Sequence, residues 1–287
     1  MRTLVITLLL GVVGCAVSAE EDFATEIVHS TFKLFHADST GTCFLVRREP
    51  PDKSLYVVTA AHVLERMKGG TAIVVLRKQL SDGSYQPHDH TVTIRRDDKP
   101  LWHRHATEDA AVLRLTDPPP FPVGSLPLSA IADERSVSAA KLHICSPLYL
   151  LTYPQRFEAN KAGFAVARQS IIASYPFLPI SKYSTYFADF TTFSGDSGGP
   201  VFIASTPDQP LVVGMVLAQS RHDEHVTTEY EKRTIHHPLG LGTVLHAQFI
   251  RDIIGQSAKS DDNRADQPNG RAEQDAAEQP ATAGESK

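Results

Sequence analysis

The stretch Gly195-Asp196-Ser197-Gly198-Gly199-Pro200 constrains this chain more than any other. Glycines on both sides of Ser197 let the backbone turn sharply and bring N–H groups close to a reacting carbonyl. A serine hydroxyl becomes a useful nucleophile only when a base takes its proton, and the oxyanion it creates needs donors already in place. The window also fits G-x-S-x-G, the strand-to-helix turn that carries a nucleophile on an α/β sheet. The residues after Ser197 separate the two folds. Pro200-Val201-Phe202-Ile203 reads as a strand, where the α/β turn needs a helix.

The partners of such a serine lie upstream. Thr59-Ala60-Ala61-His62 comes after the strand-like Leu55-Tyr56-Val57-Val58, and Asp109 opens a second such run, Asp109-Ala110-Ala111-Val112-Leu113-Arg114-Leu115. The chain order is His, Asp, Ser, and each gap has room for several strands. Through T-A-A-H, D-A-A-V-L and G-D-S-G-G-P, over about residues 31–255, the chain resembles the trypsin-like (chymotrypsin-fold) serine peptidases, in particular their bacterial secreted branch. The resemblance implies an all-β fold of two packed antiparallel six-stranded β-barrels with a C-terminal helix. It also implies hydrolysis of a polypeptide substrate through an acyl-enzyme. In that reading Ser197 attacks, His62 relays the proton, and Asp109 orients the imidazole. The backbone N–H groups of Gly195 and Ser197 are the expected oxyanion donors, and no metal or organic cofactor is expected. An alternative keeps the barrels and their peptide groove but without turnover, motivated by a missing activation terminus and the undefined fate of Asp196.

The resemblance places Thr191, six positions before Ser197, at the base of the primary specificity pocket. No Asp stands there to attract Arg or Lys, so a small or modestly apolar side chain is expected. Val213, Gly214, Met215 and Val216 resemble the edge on which substrate adds as a further strand. The first departure from the family pattern is at the N-terminus. Zymogen-derived members begin Ile-Val-Gly-Gly, and the new amine pairs with the aspartate before the nucleophile; here Ile27-Val28-His29-Ser30 lacks the glycines. Asp196 therefore needs another partner or stays partly solvated. The second is at the histidine. Val63 comes directly after His62 where many members have a cysteine, and whether Cys43 pairs with Cys145 stays open.

Strand-like runs organise the rest. In residues 20–125, expected as the first barrel, Glu20 to Glu26 reads as a flexible lead-in. Strands are expected at 31–35, 42–46, 55–59, 71–77, 91–95 and 110–115, with a short helix within 60–68. Prolines 118–120 and 122 mark the linker. In residues 126–255, expected as the second barrel, runs fall at 141–145, 165–173, 183–190, 200–204, 211–218 and 241–245. A polar loop is expected over 219–238 and a terminal helix capped at Gly255. Of the thirteen histidines, the pairs His88/His90, His103/His105 and His236/His237 fall in polar stretches without zinc-site spacing, and read as solvated loop residues.

The ends read differently. Arg2, the apolar run 4–14 and the small residues Val17-Ser18-Ala19 form a secretory signal over 1–19, too short to span a bilayer. Val12-Val13-Gly14-Cys15 also fits a lipoprotein signal. The product is then secreted or periplasmic, tethered to a membrane only if Cys15 is lipidated. Residues 256–287 contain no Val, Ile, Leu, Met, Phe, Trp or Tyr, and read as a disordered tail. A net charge of −5 gives no reason to expect nucleic acid as a partner.

Overall fold

The computed structural model describes residues 23–203 and 211–265. Residues 1–19, read as a signal, lie outside the described residues, as does the tail beyond 265. The chain enters through a helix α1 (Phe23–Ser30), where a flexible lead-in was expected. Ile27 explains it: fully buried, it anchors an otherwise polar turn to the core.

The first sheet contains β1 (Thr31–Phe35), β2 (Thr40–Arg47), β3 (Leu55–Thr59), β4 (Thr71–Gln79) and β5 (Tyr85–Thr93). After a separate hairpin of β6 (Arg95–Arg96) and β7 (Lys99–Pro100) come β8 (His103–Arg104), β9 (Ala111–Arg114) and β10 (Leu126–Pro127). The strand order is β5-β4-β1-β2-β3-β9-β8, with β10 parallel to β2, so this sheet has eight strands, two more than expected. The extra ones, β8 and β10, are two residues each and carry no alternation that a sequence could show.

The second sheet is six-stranded: β11 (Pro147–Thr152), β12 (Val166–Ile171), β13 (Thr185–Asp189), β14 (Pro200–Ile203), β15 (Leu211–Thr227) and β16 (Lys232–His246). Its order is β12-β11-β14-β15-β16-β13, and a bridge between Ile172 and Ala188 joins its two ends. The fold is thus chymotrypsin-like and all-β, with a C-terminal helix α4 (Gln248–Ala265). Three expectations are corrected. The strand expected at 141–145 lies at 147–152, opened by a proline in the one position a strand tolerates. The polar loop 219–238 is instead strand, the continuation of β15 and β16 as a long ribbon. Helix α4 runs through Gly255 to Ala265, because a turn nucleated by buried Ile250, Ile253 and Ile254 propagates into polar sequence. The histidine pairs also move: His88 and His90 lie on β5, His103 on β8, and His236 and His237 on β16.

A buried arginine joins the two sheets. The Arg77 guanidinium lies 4.4 Å from the rings of Phe32 and Phe164. It donates to the carbonyls of Val28, His29 and Thr31 at the end of α1, and to Gly163 O and Tyr153 Oη of the second half. Cys43 and Cys145 are both free thiols, the first buried and the second exposed, so no bond joins them.

His246, at the end of β16, is buried, and Nε2 donates to Phe177 O at 2.9 Å. Burial pushes its imidazole down to about 4, against the smaller effect of the Phe177 bond. A histidine held neutral in the fold is protonated first in the unfolded chain. Its contribution is therefore full above pH ~6.5 and is lost as pH falls towards ~4. Over that window wild type should lose about 3 kcal/mol of stability from this one group. Urea melts of wild type and His246→Gln at pH 7 and 4.5 check this. The variant should show the shallower acid dependence, and equal slopes would refute the assignment.

Candidate active site

Strand pairing brings His62 and Asp109 together. β3 and β9 are antiparallel with Thr59 opposite Ala111, so the residues just past one strand and just before the other emerge side by side. His62 is the second residue of α2 (Ala61–Arg66), and its backbone N–H donates to Asp109 Oδ1 at 2.9 Å. Its ring Nδ1 lies 2.6 Å from Asp109 Oδ2. The carboxylate can only accept, so Nδ1 carries the proton and Nε2 is left as the basic nitrogen. Burial pushes the Asp109 carboxyl up. The bonds from the His62 side chain and N–H, with the charges of His62 and Arg104, outweigh it and hold the group below its ordinary value.

Ser197 arrives from the second sheet on a loop pinned to the first. Thr42 of β2 makes the junction. Its N–H donates to Ser197 O at 2.9 Å and its hydroxyl to Gly195 O at 2.7 Å. Its carbonyl accepts from Thr59 Oγ1, three residues before His62, at 2.8 Å. The glycines make this approach possible. Gly198 has φ of +91°, and a Cβ there would stand 2.1 Å from Thr42 O. Gly195 has φ of +98°, and its Cβ would stand 2.3 Å from Tyr153 O. The N–H groups of Gly195 and Ser197 have no acceptor among the described residues. The Ser197 hydroxyl donates to Leu217 O at 2.7 Å, and among the described residues no hydrogen bond links it to His62.

Asp196 is fully buried and has the partner the sequence left undefined. Arg168 of β12 places Nη2 2.7 Å from Asp196 Oδ2. The same guanidinium donates to Thr191 O and to Thr152 Oγ1, both at 2.8 Å. Phe193 N–H donates to the same Oδ2 at 2.8 Å, while Oδ1 is buried without a hydrogen-bond partner among the described residues. One side chain therefore ties together both ends of the loop from Thr191 to Asp196, directly before the nucleophile. Nothing in the spacing of Arg168 singles it out among the chain's basic residues, so its role is invisible in the sequence.

Thr191 stands half-buried at the start of that loop, its carbonyl held by Arg168. Val213, Gly214, Met215 and Val216 do not form an edge. Val213 lies at a bulge against β14 and accepts from Ala247 N–H, and the other three are paired on both sides: Gly214 faces Val201 and His246, Met215 faces Pro200 and Leu245, and Val216 bonds Gly198 and Gly199 and faces Val244. The unpaired edge starts one residue later. A bulge between Val216 and Ala218 turns the Leu217 carbonyl out of the ladder towards Ser197. An edge at 213–216 assumes an unbroken strand, and the bulge displaces it. Among the described residues no three His, Cys, Asp or Glu side chains gather as metal ligands. A cavity of about 690 Å³ lies elsewhere, between α1, Arg77, Tyr85 and the 122–125 segment, and shares no lining residue with this site.

Residues 41–215, which include His62, Asp109 and Ser197, match a family model described as a trypsin-like peptidase domain. A search of curated proteins finds no match. Similar solved structures include Rv3671c from M. tuberculosis H37Rv, as the inactive form of a serine-to-alanine mutant. It is 20% identical, with 88% of this chain and 94% of that chain covered and a TM-score of 0.46. The Rv3671c protease in its inactive form is also 20% identical, with 82% and 92% covered and a TM-score of 0.46.

Proposed function

The chain belongs to the trypsin-like peptidase family, and from that premise we propose that it is an exported serine endopeptidase acting through Ser197, His62 and Asp109. The observation that carries this reading is the His62–Asp109 pair at 2.6 Å, with the Ser197 loop pinned beside it through Thr42. Asp109 fixes the imidazole so that Nε2 faces the nucleophile. Substrate adds at the edge that opens at Leu217, and one of its N–H groups takes Leu217 O. The Ser197 hydroxyl, released from that carbonyl, gives its proton to Nε2 as Oγ bonds to the scissile carbon. The oxyanion is met by the N–H groups of Gly195 and Ser197. His62 then protonates the leaving amine as the C–N bond breaks, and water attacks the acyl-enzyme by the same route. The sequence signal over 1–19 supports export, to a secreted or periplasmic product that a lipidated Cys15 would tether.

A second reading has one observation in its favour. With the hydroxyl bonded to Leu217 O, the same groove could hold peptide without turnover. A fluorophosphonate probe separates the two. It should label wild type on Ser197 and leave Ser197→Ala unlabelled. Folded wild type that stays unlabelled but binds peptide would establish the silent alternative.

A further inference from the structure

β15 and β16 run far beyond the barrel. From Leu217 to Thr227, β15 pairs with β16 alone; among the described residues no strand adds to its other edge, and at its start the Leu217 and Ala218 carbonyls accept from Ser197 Oγ and Thr192 Oγ1. The edge begins at the carbonyl that holds Ser197 Oγ and continues for ten residues, about 33 Å at strand spacing. It lies beyond the stretch that matches the peptidase family, residues 41–215. Proteins usually blunt such an edge with Pro, with charged side chains, Lys above all, or with bulges; on β15 the charged residues Arg221, Asp223 and Glu224 are already engaged in pairs. Lys232 and Pro238 both sit on β16, whereas residues 217–227 of β15 contain neither Lys nor Pro.

We propose that this edge is an extended substrate site, and that the preferred substrate is a long unfolded polypeptide whose main chain adds to β15 from Leu217 towards Thr227. The proposal rests on the peptidase reading and deepens it. Direction is set by the strand. β15 leads away from Ser197, and antiparallel addition is the more stable pairing. An antiparallel substrate therefore runs towards Ser197, with its residues N-terminal to the scissile bond lying along the ribbon. Recognition falls to the main chain because the charged side chains of β15 itself, Arg221, Asp223 and Glu224, already have partners within the ribbon. His236 Nδ1 lies 2.7 Å from Asp223 Oδ1, and Arg221 Nε lies 3.0 Å from the same oxygen. His237 Nε2 lies 2.9 Å from Glu224 Oε2. The histidine pairs cross between strands and hold the ribbon in register without a third strand. The edge is continuous with the Leu217 carbonyl at Ser197, so a main chain that enters the site lies along it, and over that length it must be free of its own strand partners, as an unfolded chain is.

The test compares two peptides with the same scissile site, carrying four or ten residues N-terminal to it. The longer one should show kcat/KM higher by about tenfold or more. A shortened ribbon, with residues 223–236 replaced by Asn-Gly between His222 and His237, should erase that gain and leave the short peptide unchanged. With the wild-type protein, methylating alternate amide nitrogens in the distal part of the long peptide should erase it too, since the ladder loses its donors. Equal rates for both lengths, or a gain that survives both changes, would overturn the proposal. So would a dimer that the shortened ribbon converts to monomer with length dependence intact, which would assign the edge to a second copy. Probe labelling of Ser197 reads the peptidase chemistry separately, so failure of the ribbon site and failure of the enzyme are told apart.

Discussion

His62→Ala should lower kcat for peptide-bond hydrolysis by about a million-fold, the scale seen when a member of such a relay is removed. Asp109 fixes His62 twice, through the ring Nδ1 and through the backbone N–H, which leaves Nε2 as the base. Without it nothing accepts the Ser197 proton, and the hydroxyl keeps its bond to Leu217 O. The double variant His62→Ala/Ser197→Ala should be little worse than either alone, because the residues act as a unit. Rates on one peptide substrate, measured for all three variants, check this. A fall of less than about a hundredfold in His62→Ala would remove the residue from its role.

Arg168→Gln should have the next largest effect. It leaves Asp196 fully buried without a countercharge, a change that typically costs about 3–5 kcal/mol. It also frees Thr191 O, so the loop ending at the nucleophile loses both of its bonds to Arg168. The N–H of Gly195 then leaves its position, and kcat should fall about 10²–10³-fold, as when one oxyanion donor is lost. Two further measurements distinguish positioning from simple destabilisation. Arg168→Gln/Asp196→Asn should recover melting temperature, since the stranded charge is gone, while kcat stays low. In wild type, activity should persist to pH ~10, because a guanidinium keeps its charge where an α-amine, with pKa near ~8, would lose it. A double variant with full kcat, or wild type that fails near pH ~8, would dismiss Arg168 as the partner that sets this loop.

The readable parts of the fold are those where residue type and local geometry coincide. Leu55–Val58 is an apolar run between Ser54 and Thr59, and the strand occupies Leu55–Thr59 as expected. Gly195 and Gly198 mark a backbone that only glycine allows, and both have positive φ. What escapes depends on partners distant in sequence. Residues 219–238 show no apolar alternation, so they read as a loop. Their strand character rests on cross-strand partners such as Asp223 with His236, which are recognisable only once both strands are aligned. The substrate edge is displaced because the bulge at Leu217 is a property of pairing. Arg77 looks like the polar end of a strand. It is buried because four carbonyls and a tyrosine hydroxyl converge on it, an environment assembled from α1, β1 and the segments around Tyr153 and Gly163.

The contacts of Thr42 set the moment at which this protein becomes dangerous to its neighbours. Thr42 belongs to the half of the chain made first, yet it holds the backbone of Gly195 and Ser197, made much later. A half-synthesised molecule has the base and its carboxylate but no nucleophile. A late fragment alone has the nucleophile but nothing to seat it. On the proposed mechanism, cutting power therefore arises only when the whole molecule has closed, a delay that would shelter the cell that makes it.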